Sequence, residues 1–524
     1  MRKRLRALGF RCCRRRSRAS ASIGSRSKSH RICLPIWKRA VRLRFRWTRL
    51  RLRGCGSINI KANASASGGV EALVKGLSQS ILSQGYVTTH VLVPEQDLTS
   101  GLLTLALIPG VIDDIRFTDP ELWGTWKTAF PTSAGELLNL RDLEQGLEQM
   151  KRVASQDVAL QIAPTAVPGR SNVVISVRRG KPWTLVASVD NSGSRSTGKW
   201  QGNVSVGVDN PLGLNDMFNI GYNQDLMFGN QEHGARAWNG FYAIPWGYWT
   251  ATLSAYNSNY YQQIAGVNTT FISSGKSENV DLKLHRVLRR SHNDVSGLQV
   301  RLTRRFGNSY IEDTEILQQR RNNTILELGV TDRHYFGQSQ LDATLAFRQG
   351  VGAFGAQRDA LTADESPTWC YRMMVLDANL SVPLRVADQA FRFVTTVRGQ
   401  FTNDRLYYID DMTIGSRYTV RGFDGESQLA GERGFYWRNE LRAPLGASGH
   451  SIYADLDYGR VYGPSTEALV GTQLAGAVVG MRGGIGSSQF AGVSYDVFVG
   501  MPVYKPGQFD TAAVTGGLQV VYQY

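Results

Sequence analysis

From Trp183 to the last residue, apolar and polar side chains alternate in one short segment after another, and this period of two limits the folds open to the chain. The stretches "NVSVGVD" (203–209), "VDLKLH" (280–285) and "LQVRLT" (298–303) are typical. Successive side chains of a β-strand point to opposite faces, so each stretch predicts a strand with one apolar and one polar face. No run of about 18 apolar residues occurs, and the sequence therefore predicts no transmembrane helix.

Sixteen such segments can be counted in residues 181–524. They begin near Trp183, Lys199, Asp216, Gly234, Trp249, Glu278, Asp294, Ile316, Gln340, Trp369, Gln389, Gly434, Ser451, Gln473, Gln489 and Thr511. A tilted membrane strand needs ~9–11 residues, and closed bacterial barrels have an even number of strands. The pattern predicts a membrane all-β fold, a 16-stranded antiparallel outer-membrane β-barrel with lipid outside and a polar lumen. A soluble β array that buries its apolar face is the alternative.

Residues 65–180 follow a different period. Apolar residues recur at helical spacing in 70–81, with Gly85 as the expected C-cap, and again in 140–150, with Asn139 as the expected N-cap. Two predicted strands follow each helix, and "VIDDIRF" leads the second copy. The region predicts two small α+β modules, either of unassigned purpose or with strand edges that capture an extended chain by strand addition.

The net charge of +17 belongs to the N-terminal segment. Residues 1–53 hold 20 of the 60 Lys and Arg residues and no acid, which leaves 40 basic residues against 43 acidic ones in the rest. We expect residues 1–64 to be a basic arm, an unusual targeting segment, or sequence from a wrong start or shifted frame. The segment contains no apolar core of the length that a signal peptide needs. A nucleic-acid function would depend on this arm alone, and we expect none.

Cysteine usage separates the same two parts of the chain. Four of the five cysteines, Cys12, Cys13, Cys33 and Cys55, lie in or just after the basic segment. Cys370 is the one cysteine of the body, which therefore cannot form an internal disulfide.

The longest loop between two predicted strands runs from Asn403 to Arg433 and contains "TVRGFDGESQLAGERG" (419–434). A loop of this length without secondary structure is usually functional. In the strand "SIYADLDYG" (451–459), alternation directs Asp455 and Asp457 toward the lumen. If the loop folds inward, Arg421 can reach one of these carboxylates. Val420 and Phe423 would then pack beside it, and Gly422 would supply the bend. The alternative is that Arg421 is one more solvated loop charge.

Several stretches together resemble the two-partner secretion transporters, the haemolysin and adhesin activation/secretion family of the outer-membrane insertase superfamily. The matching stretches are "GYVTTHVLVPEQDLTSGLLTLALIPGVI", "LNLRDLEQGLEQMKRV", "DNSGSRSTG", "DNPLGLND", "VRGFDGE" and "LDYGRV". They extend from about Gly69 to Tyr524. Before Gly69 the sequence departs from the family, since it shows no signal peptide, no plug helix and no full first strand and helix of the first module.

The resemblance implies a domain order and a partner. POTRA 1, apparently incomplete, would occupy residues 65–110 and POTRA 2 residues 111–180, both in the periplasm. The barrel would occupy 181–524, with a lumenal loop over 404–433. The partner would be one large secreted exoprotein, recognised by its N-terminal secretion domain.

The resemblance also implies the site. The arginine of the loop motif Val420-Arg421-Gly422-Phe423 would pair with Asp457 of the barrel wall, and Gly459 would complete the wall motif. We expect outer-membrane lipid around the barrel and a monomeric protein.

No motif indicates an enzyme. "GKS" at 275–277 lacks the glycine that a phosphate loop needs five residues earlier. The seven histidines show no ligand spacing, and no nucleophile lies beside a base, so we expect no cofactor, metal or catalytic residue. An assembly insertase and a general porin remain alternatives to the transporter. For the secreted exoprotein the sequence leaves three alternatives, namely a cytolysin, an adhesin and a growth-inhibiting toxin.

Overall fold

The computed structural model describes residues 56–61, 67–97, 102–230, 232–265, 270–359, 366–488 and 491–524. The predictions for the basic segment before residue 56, with its four cysteines, lie outside the described residues. The described part consists of two small α+β modules followed by a closed antiparallel barrel. None of the described helices is both long enough and apolar enough to span a membrane.

The first module contains β1 (Gly56–Lys61), α1 (Ser67–Ser83), β2 (His90–Leu92) and β3 (Leu102–Ile108). Its sheet has the order β1–β3–β2, so β2 lies at an edge. The chain turns at Gly85, where φ is +96°. The leading strand β1 pairs with β3 although the predicted module began only at residue 65. The long predicted strand "YVTTHVLV" is reduced to β2, because residues 86–89 form turns.

The second module contains β4 (Val111–Phe117), α2 (Leu140–Lys151), β5 (Gln156–Pro164) and β6 (Arg170–Arg179). Its sheet has the order β4–β6–β5, with β4 parallel to β6. Asn139 caps α2, since its side chain accepts a hydrogen bond from the backbone N of Arg141. The apolar face of α2 packs on the sheet through Leu143 and Met150, both fully buried.

The barrel contains sixteen spanning strands. They are β7 (Trp183–Asp190), β8 (Gln201–Asp209), β9 (Met217–Asp225), β10 (His233–Trp246), β11 (Trp249–Ala265), β12 (Thr270–Arg290), β13 (Asp294–Ile311), β15 (Arg321–Phe336), β16 (Ser339–Val351), β17 (Arg372–Val386), β18 (Gln389–Thr402), β21 (Arg433–Pro444), β22 (Ser451–Tyr462), β23 (Gln473–Ser488), β24 (Ala491–Tyr504) and β25 (Thr515–Gln523). Three short strands, β14 (Thr314–Glu315), β19 (Met412–Ile414) and β20 (Leu429–Gly431), lie in connections.

The strands close into a barrel because β25 pairs with β7. The predicted strand number is confirmed, and most predicted starts lie within four residues of the observed ones. β12 begins at Thr270, eight residues before the predicted Glu278. Its first residues, "TFISSGKS", show no clean alternation, so the period gives no signal there. β15 begins at Arg321, because the predicted start at Ile316 lies before a short 3-10 helix.

Apolar side chains face outward from the barrel. Val204 and Leu456 are 50% and 59% exposed, whereas Asp457, one position along from Leu456, is 1% exposed. A soluble sandwich would bury the apolar face. The exposed apolar belt and the charged interior therefore identify a membrane barrel and exclude the soluble array.

The second module docks on the barrel through polar groups. The Nε2 atoms of Gln145 and Gln149, both on α2, donate to the carbonyl oxygen of Gly247 at 3.1 Å each. Gly247 lies in the turn between β10 and β11. Arg290, at the end of β12, donates to Gln145 Oε1 at 2.8 Å and forms an ion pair with Glu148. We call this set of contacts the module–barrel interface.

A tyrosine completes this interface. The hydroxyl of Tyr248, beside Gly247 in the same turn, donates to the carboxylate of Asp142 on α2. Burial raises the pKa of Asp142, and the hydrogen bond from Tyr248 partly opposes that rise. Burial and the neighbouring Asp142 carboxylate raise the pKa of Tyr248. The contact is therefore sensitive to the charge of Asp142.

Candidate functional site

The connection between β18 and β21 enters the barrel and carries its own secondary structure. A short 3-10 helix spans Tyr408–Asp410, and β19 pairs antiparallel with β20. The prediction of a loop without secondary structure over 404–433 is therefore wrong for these residues. The hairpin forms because its apolar residues are buried against the barrel wall. This cluster consists of Met412, Ile414, Val420, Phe423, Leu429, Val461, Leu474 and Phe509.

The tip of the loop is held on both sides of its arginine by apolar contacts. Val420 is fully buried and Phe423 is 3% exposed. The ring of Phe423 meets the ring of Phe509 edge to face, with centroids 5.9 Å apart. Phe509 belongs to the connection between β24 and β25, so the tip also contacts a second loop.

Arg421 and Asp457 form a forked ion pair in the lumen. Arg421 Nε lies 2.7 Å from Asp457 Oδ2, and Nη2 lies 2.9 Å from Oδ1. The backbone N of Arg421 donates to the same Oδ2 at 3.0 Å. The Asp457 side chain is 0% exposed and that of Arg421 is 8% exposed. Charge-assisted, bidentate bonds of this kind are the strongest that side chains make.

Two more carboxylates lie around the same guanidinium. Arg421 Nη1 lies 2.5 Å from Asp455 Oδ2 and 3.4 Å from Glu440 Oε2. Sequence reasoning offered Asp455 and Asp457 as alternative partners, whereas the structure brings both to Arg421. It missed Glu440, which lies opposite Asp455 on β21. Within the described chain, the Asp455 contact lacks hydrogen-bond geometry, and neither Asp455 oxygen has a hydrogen-bond partner.

The charges extend along the wall as a balanced network. Glu440 accepts from Arg442 at 2.7 Å and from Arg482 at 3.0 Å, and Arg482 lies 3.4 Å from Asp496. With Arg421 and Arg438, four arginines face four carboxylates across β21 to β24. The arginines are Arg421, Arg438, Arg442 and Arg482, and the carboxylates are Glu440, Asp455, Asp457 and Asp496. Because buried charges are costly unless paired, this balance lets the arginine enter the wall of the lumen.

Glycines of the wall make room for the backbone of the tip. A Cβ on Gly476 would lie 1.9 Å from the carbonyl oxygen of Arg421. A Cβ on Gly500 would lie 3.0 Å from the Cα of Gly422, and one on Gly459 would lie 2.7 Å from Val420 Cγ2. We call Gly459, Gly476 and Gly500 the glycine seat.

Gly422 is constrained in two ways. Its φ is +95°, a conformation that favours glycine, and a Cβ there would lie 2.5 Å from the carbonyl oxygen of Met501. The bend that the sequence predicted at Gly422 therefore coincides with close backbone packing on β24. Gly476 and Gly500 were missed, although an isolated glycine within a strand is a signal of close backbone approach.

The site binds the tip of the loop through the ion pairs of Arg421 and through apolar contacts on both sides of that residue. Among the described residues, no group of three or more His, Cys, Asp or Glu side chains is arranged to hold a metal ion. The arrangement can hold the loop in the lumen or release it, because it joins two parts of the chain without a covalent bond.

Comparison with protein-family models assigns most of this architecture. Residues 169–483 match the family described as haemolysin secretion/activation protein ShlB/FhaC/HecB. Residues 62–110 match a POTRA domain of ShlB type, and residues 111–164 match a second POTRA domain. The family match begins just before β6 of the second module and ends within β23 of the barrel.

Curated relatives span nearly the same region. The chain is 62% identical over 456 residues to the outer membrane transporter CdiB-2 of Burkholderia pseudomallei (strain 1026b), covering 87% of this chain and 78% of that protein. It is 30% identical over 455 residues to the outer membrane transporter CdiB of Dickeya dadantii (strain 3937), covering 86% and 80%. It is 28% identical over 399 residues to the hemolysin transporter protein ShlB of Serratia marcescens, covering 76% and 70%.

Two solved structures share the fold. CdiB from Escherichia coli aligns with a TM-score of 0.81 and 28% identity, covering 88% of this chain and 85% of that chain. CdiB from Acinetobacter baumannii aligns with a TM-score of 0.77 and 26% identity, covering 88% and 82%.

Proposed function

The chain belongs to the haemolysin secretion/activation family of outer-membrane transporters. From that premise we propose that the barrel is a pore for one large exoprotein and that Arg421 is its latch, the residue that holds the lumenal loop inside the pore. The protein is a two-partner secretion transporter, with its barrel in the outer membrane and its POTRA domains in the periplasm. The family match favours transport over the assembly insertase and the general porin.

The observation that carries the latch is the paired, buried Arg421 inside the lumen. Breaking one partner of a buried pair costs ~3–5 kcal/mol, whereas an exposed pair contributes only ~0.2–1 kcal/mol. The wall of a wet lumen lies between these limits. Energies of this size can set the position of a loop, and they are small beside the free energy with which the paired strands stabilise the barrel. The latch can therefore open while the barrel stays intact.

The periplasmic modules are the proposed recognition surface. The edge strand β2 (His90–Leu92) has one side without a partner strand in the described sheet, and strand addition would supply one. The exoprotein would bind there through its N-terminal secretion domain. We further propose that the barrel is monomeric, surrounded by outer-membrane lipid, and that the protein catalyses no reaction.

The test substitutes Arg421 by Ala in the chain produced behind a standard export signal, together with its large exoprotein partner. We expect secretion to fall sharply while the barrel remains heat-modifiable in the outer membrane. Arg392→Ala is the control, because Arg392 is an exposed arginine of β18 that donates to Ser381 and forms no ion pair with Glu440, Asp455 or Asp457 in the described chain. Single-channel conductance without cargo should rise for Arg421→Ala and not for the control.

Each other outcome has a clear meaning. Normal secretion by Arg421→Ala would show that the latch is not required. Failure of this variant to assemble, with Arg421→Lys failing as well, would assign the motif to folding and not to transport.

A further inference from the structure

Tryptophan side chains mark both membrane edges on the outer face of β10. Trp246 and Trp249 lie opposite each other beside Gly247, where the second POTRA domain docks, so they mark the periplasmic edge. Trp238, 52% exposed, lies eight residues away along β10 on the same face. Eight residues of a strand tilted by ~40° rise by roughly 20 Å, close to the ~25 Å apolar band of such barrels. Trp238 therefore marks the outer edge of the membrane.

A row of polar and basic side chains lies just beyond this outer edge. Residues directly opposite each other in antiparallel strands point to the same face. The pairing across β10 to β13 joins Arg236 to Asn259, Asn259 to Lys276 and Lys276 to Asn308. Because Arg236 is two positions from Trp238, the whole row lies on the outer face of the barrel. We call Arg236, Asn259 and Lys276 the basic row.

The basic row offers donors and one acceptor to a ligand. Lys276 Nζ lies 2.5 Å from Glu278 Oε1, which also accepts from Asn257 Nδ2 at 3.0 Å, so Glu278 holds the lysine in place. Among the described residues, Arg236 makes no ion pair. The side-chain oxygen of Asn259 is buried and has no hydrogen-bond partner in the described chain. An ammonium and a guanidinium suit a phosphate, and the amide oxygen suits a hydroxyl beside it.

A cavity of about 410 Å³ borders the basic row. The three residues of the row line this cavity together with Tyr261. Of the described lining residues, Asp225 is the one carboxylate, and its two oxygens accept from the backbone N atoms of Met227 and Ala235 at 3.1 and 3.0 Å. The negative charge of Asp225 is therefore stabilised by the backbone, and the cavity has room for a headgroup beside two cations.

An apolar groove lies on the membrane side of the basic row. In one row of paired residues, Ile220 lies opposite Gly240, Gly240 opposite Ala255, and Ala255 opposite Val280. Two small residues flanked by two large ones leave a groove of about 360 Å³, which Trp238 also lines. Its apolar lining suits an acyl chain whose headgroup lies at the basic row.

We propose that this face of the barrel binds one phosphate-bearing glycolipid of the outer leaflet, with a phosphate at the basic row and an acyl chain in the groove. A lipid is the occupant because the cationic and apolar parts of the site lie on opposite sides of the membrane edge at Trp238. Basic residues at a membrane surface attract anionic headgroups. The inference needs the outer-membrane location of the barrel and does not depend on the latch.

Titration of the assembled full chain with lipid A tests the site. The chain, produced behind an export signal, is placed in nanodiscs of phosphatidylcholine, and bound lipid is counted by native mass spectrometry. Changing Arg236→Gln and Lys276→Gln together should weaken binding of the first lipid A roughly thirtyfold. Lipid A without phosphates should bind the wild type and this double variant equally. Arg286→Gln is the matched control, since Arg286 is exposed on the same face of β12 at the periplasmic edge, and it should leave the affinity unchanged.

A second variant separates the groove from the charges. Ala255→Leu fills the groove, keeps every charge and should also weaken lipid A binding. Heat-modifiability shows which variants have assembled, and the single variants Arg236→Gln and Lys276→Gln replace the double one if it does not assemble. Equal affinity of the wild type and the assembled charge variants overturns the proposal. Unchanged binding by Ala255→Leu, or competition by millimolar inorganic phosphate, also overturns it, because either result indicates a site for phosphate and not for a lipid.

Discussion

Gly476→Ala tests whether the glycine seat positions the latch. The new methyl would lie 1.9 Å from the carbonyl oxygen of Arg421, far inside the 3.0 Å that real Cβ contacts observe. The loop or the wall must therefore retreat by about an ångström. The two N···O distances between the Arg421 guanidinium and Asp457, now 2.7 and 2.9 Å, would then exceed the distances at which hydrogen bonds are strong.

The size of the effect follows from the cost of overpacking. Extra methyl groups in well-packed sites cost ~1–3 kcal/mol, and ~1.4 kcal/mol is a factor of ten in an equilibrium constant. The ratio of seated to displaced loop should thus fall by roughly 5- to 150-fold. Amide exchange of β19 and β20 should rise by the same factor, conductance should increase, and heat-modifiability should persist.

Gly484→Ala is the matched control, in the same strand and at the same alternation phase as Gly476. A Cβ on Gly484 would meet only the carbonyl oxygen of Val493, at an ordinary 3.7 Å. Equal exchange of the loop hairpin in the two variants would refute the idea that the seat positions the latch.

Three more perturbations have defined outcomes. Asp457→Ala should impair secretion less than Arg421→Ala, because Asp455 and Glu440 still surround the guanidinium. Arg421→Lys should restore little secretion, because an ammonium group lacks the planar fork of the guanidinium. Quantitative secretion assays rank the three variants. Proline in β2, at residue 90 or 92, should weaken binding of the exoprotein's N-terminal domain because it removes a backbone donor, and unchanged affinity in a titration would point to another surface. Burial raises the pKa of Asp142, so the protonated carboxyl group contributes fully to docking of α2 on the barrel at low pH, and this contribution is lost as the pH rises through the raised pKa. Spin-label distances between α2 and the barrel should therefore shift toward the docked state on acidification, and Asp142→Asn should remove that shift.

Alternation predicted the barrel because its two faces meet different surroundings, lipid outside and charged groups inside. Ile452, Leu456, Asp455 and Asp457 were assigned to their faces by period alone. The same rule failed at Thr270, because β12 opens with the adjacent apolar residues Phe271 and Ile272, one on each face, followed by small and polar residues. A period carries no information where apolar and polar residues do not alternate.

The site was predictable only where its residues are adjacent in sequence or follow a strand's phase. The hairpin of β19 and β20 has three residues in each strand, too few for a period to appear. Glu440 joins the site because β21 pairs with β22 in a register that sets it opposite Asp455. The contact of Gly476 with Arg421 depends on how a loop lies against a wall, which no local pattern encodes.

The polar module–barrel interface makes the second POTRA domain a tethered ligand of its own barrel. Residues 180–182 alone separate β6 from β7, and short tethers give effective concentrations of the order of millimolar. Tethering at such a concentration raises the occupancy of a contact made of amides and ion pairs, which would be weaker between separate molecules. The same domain added in trans at micromolar concentration would not displace it, so uncoupling module from barrel requires a longer linker and not a competitor.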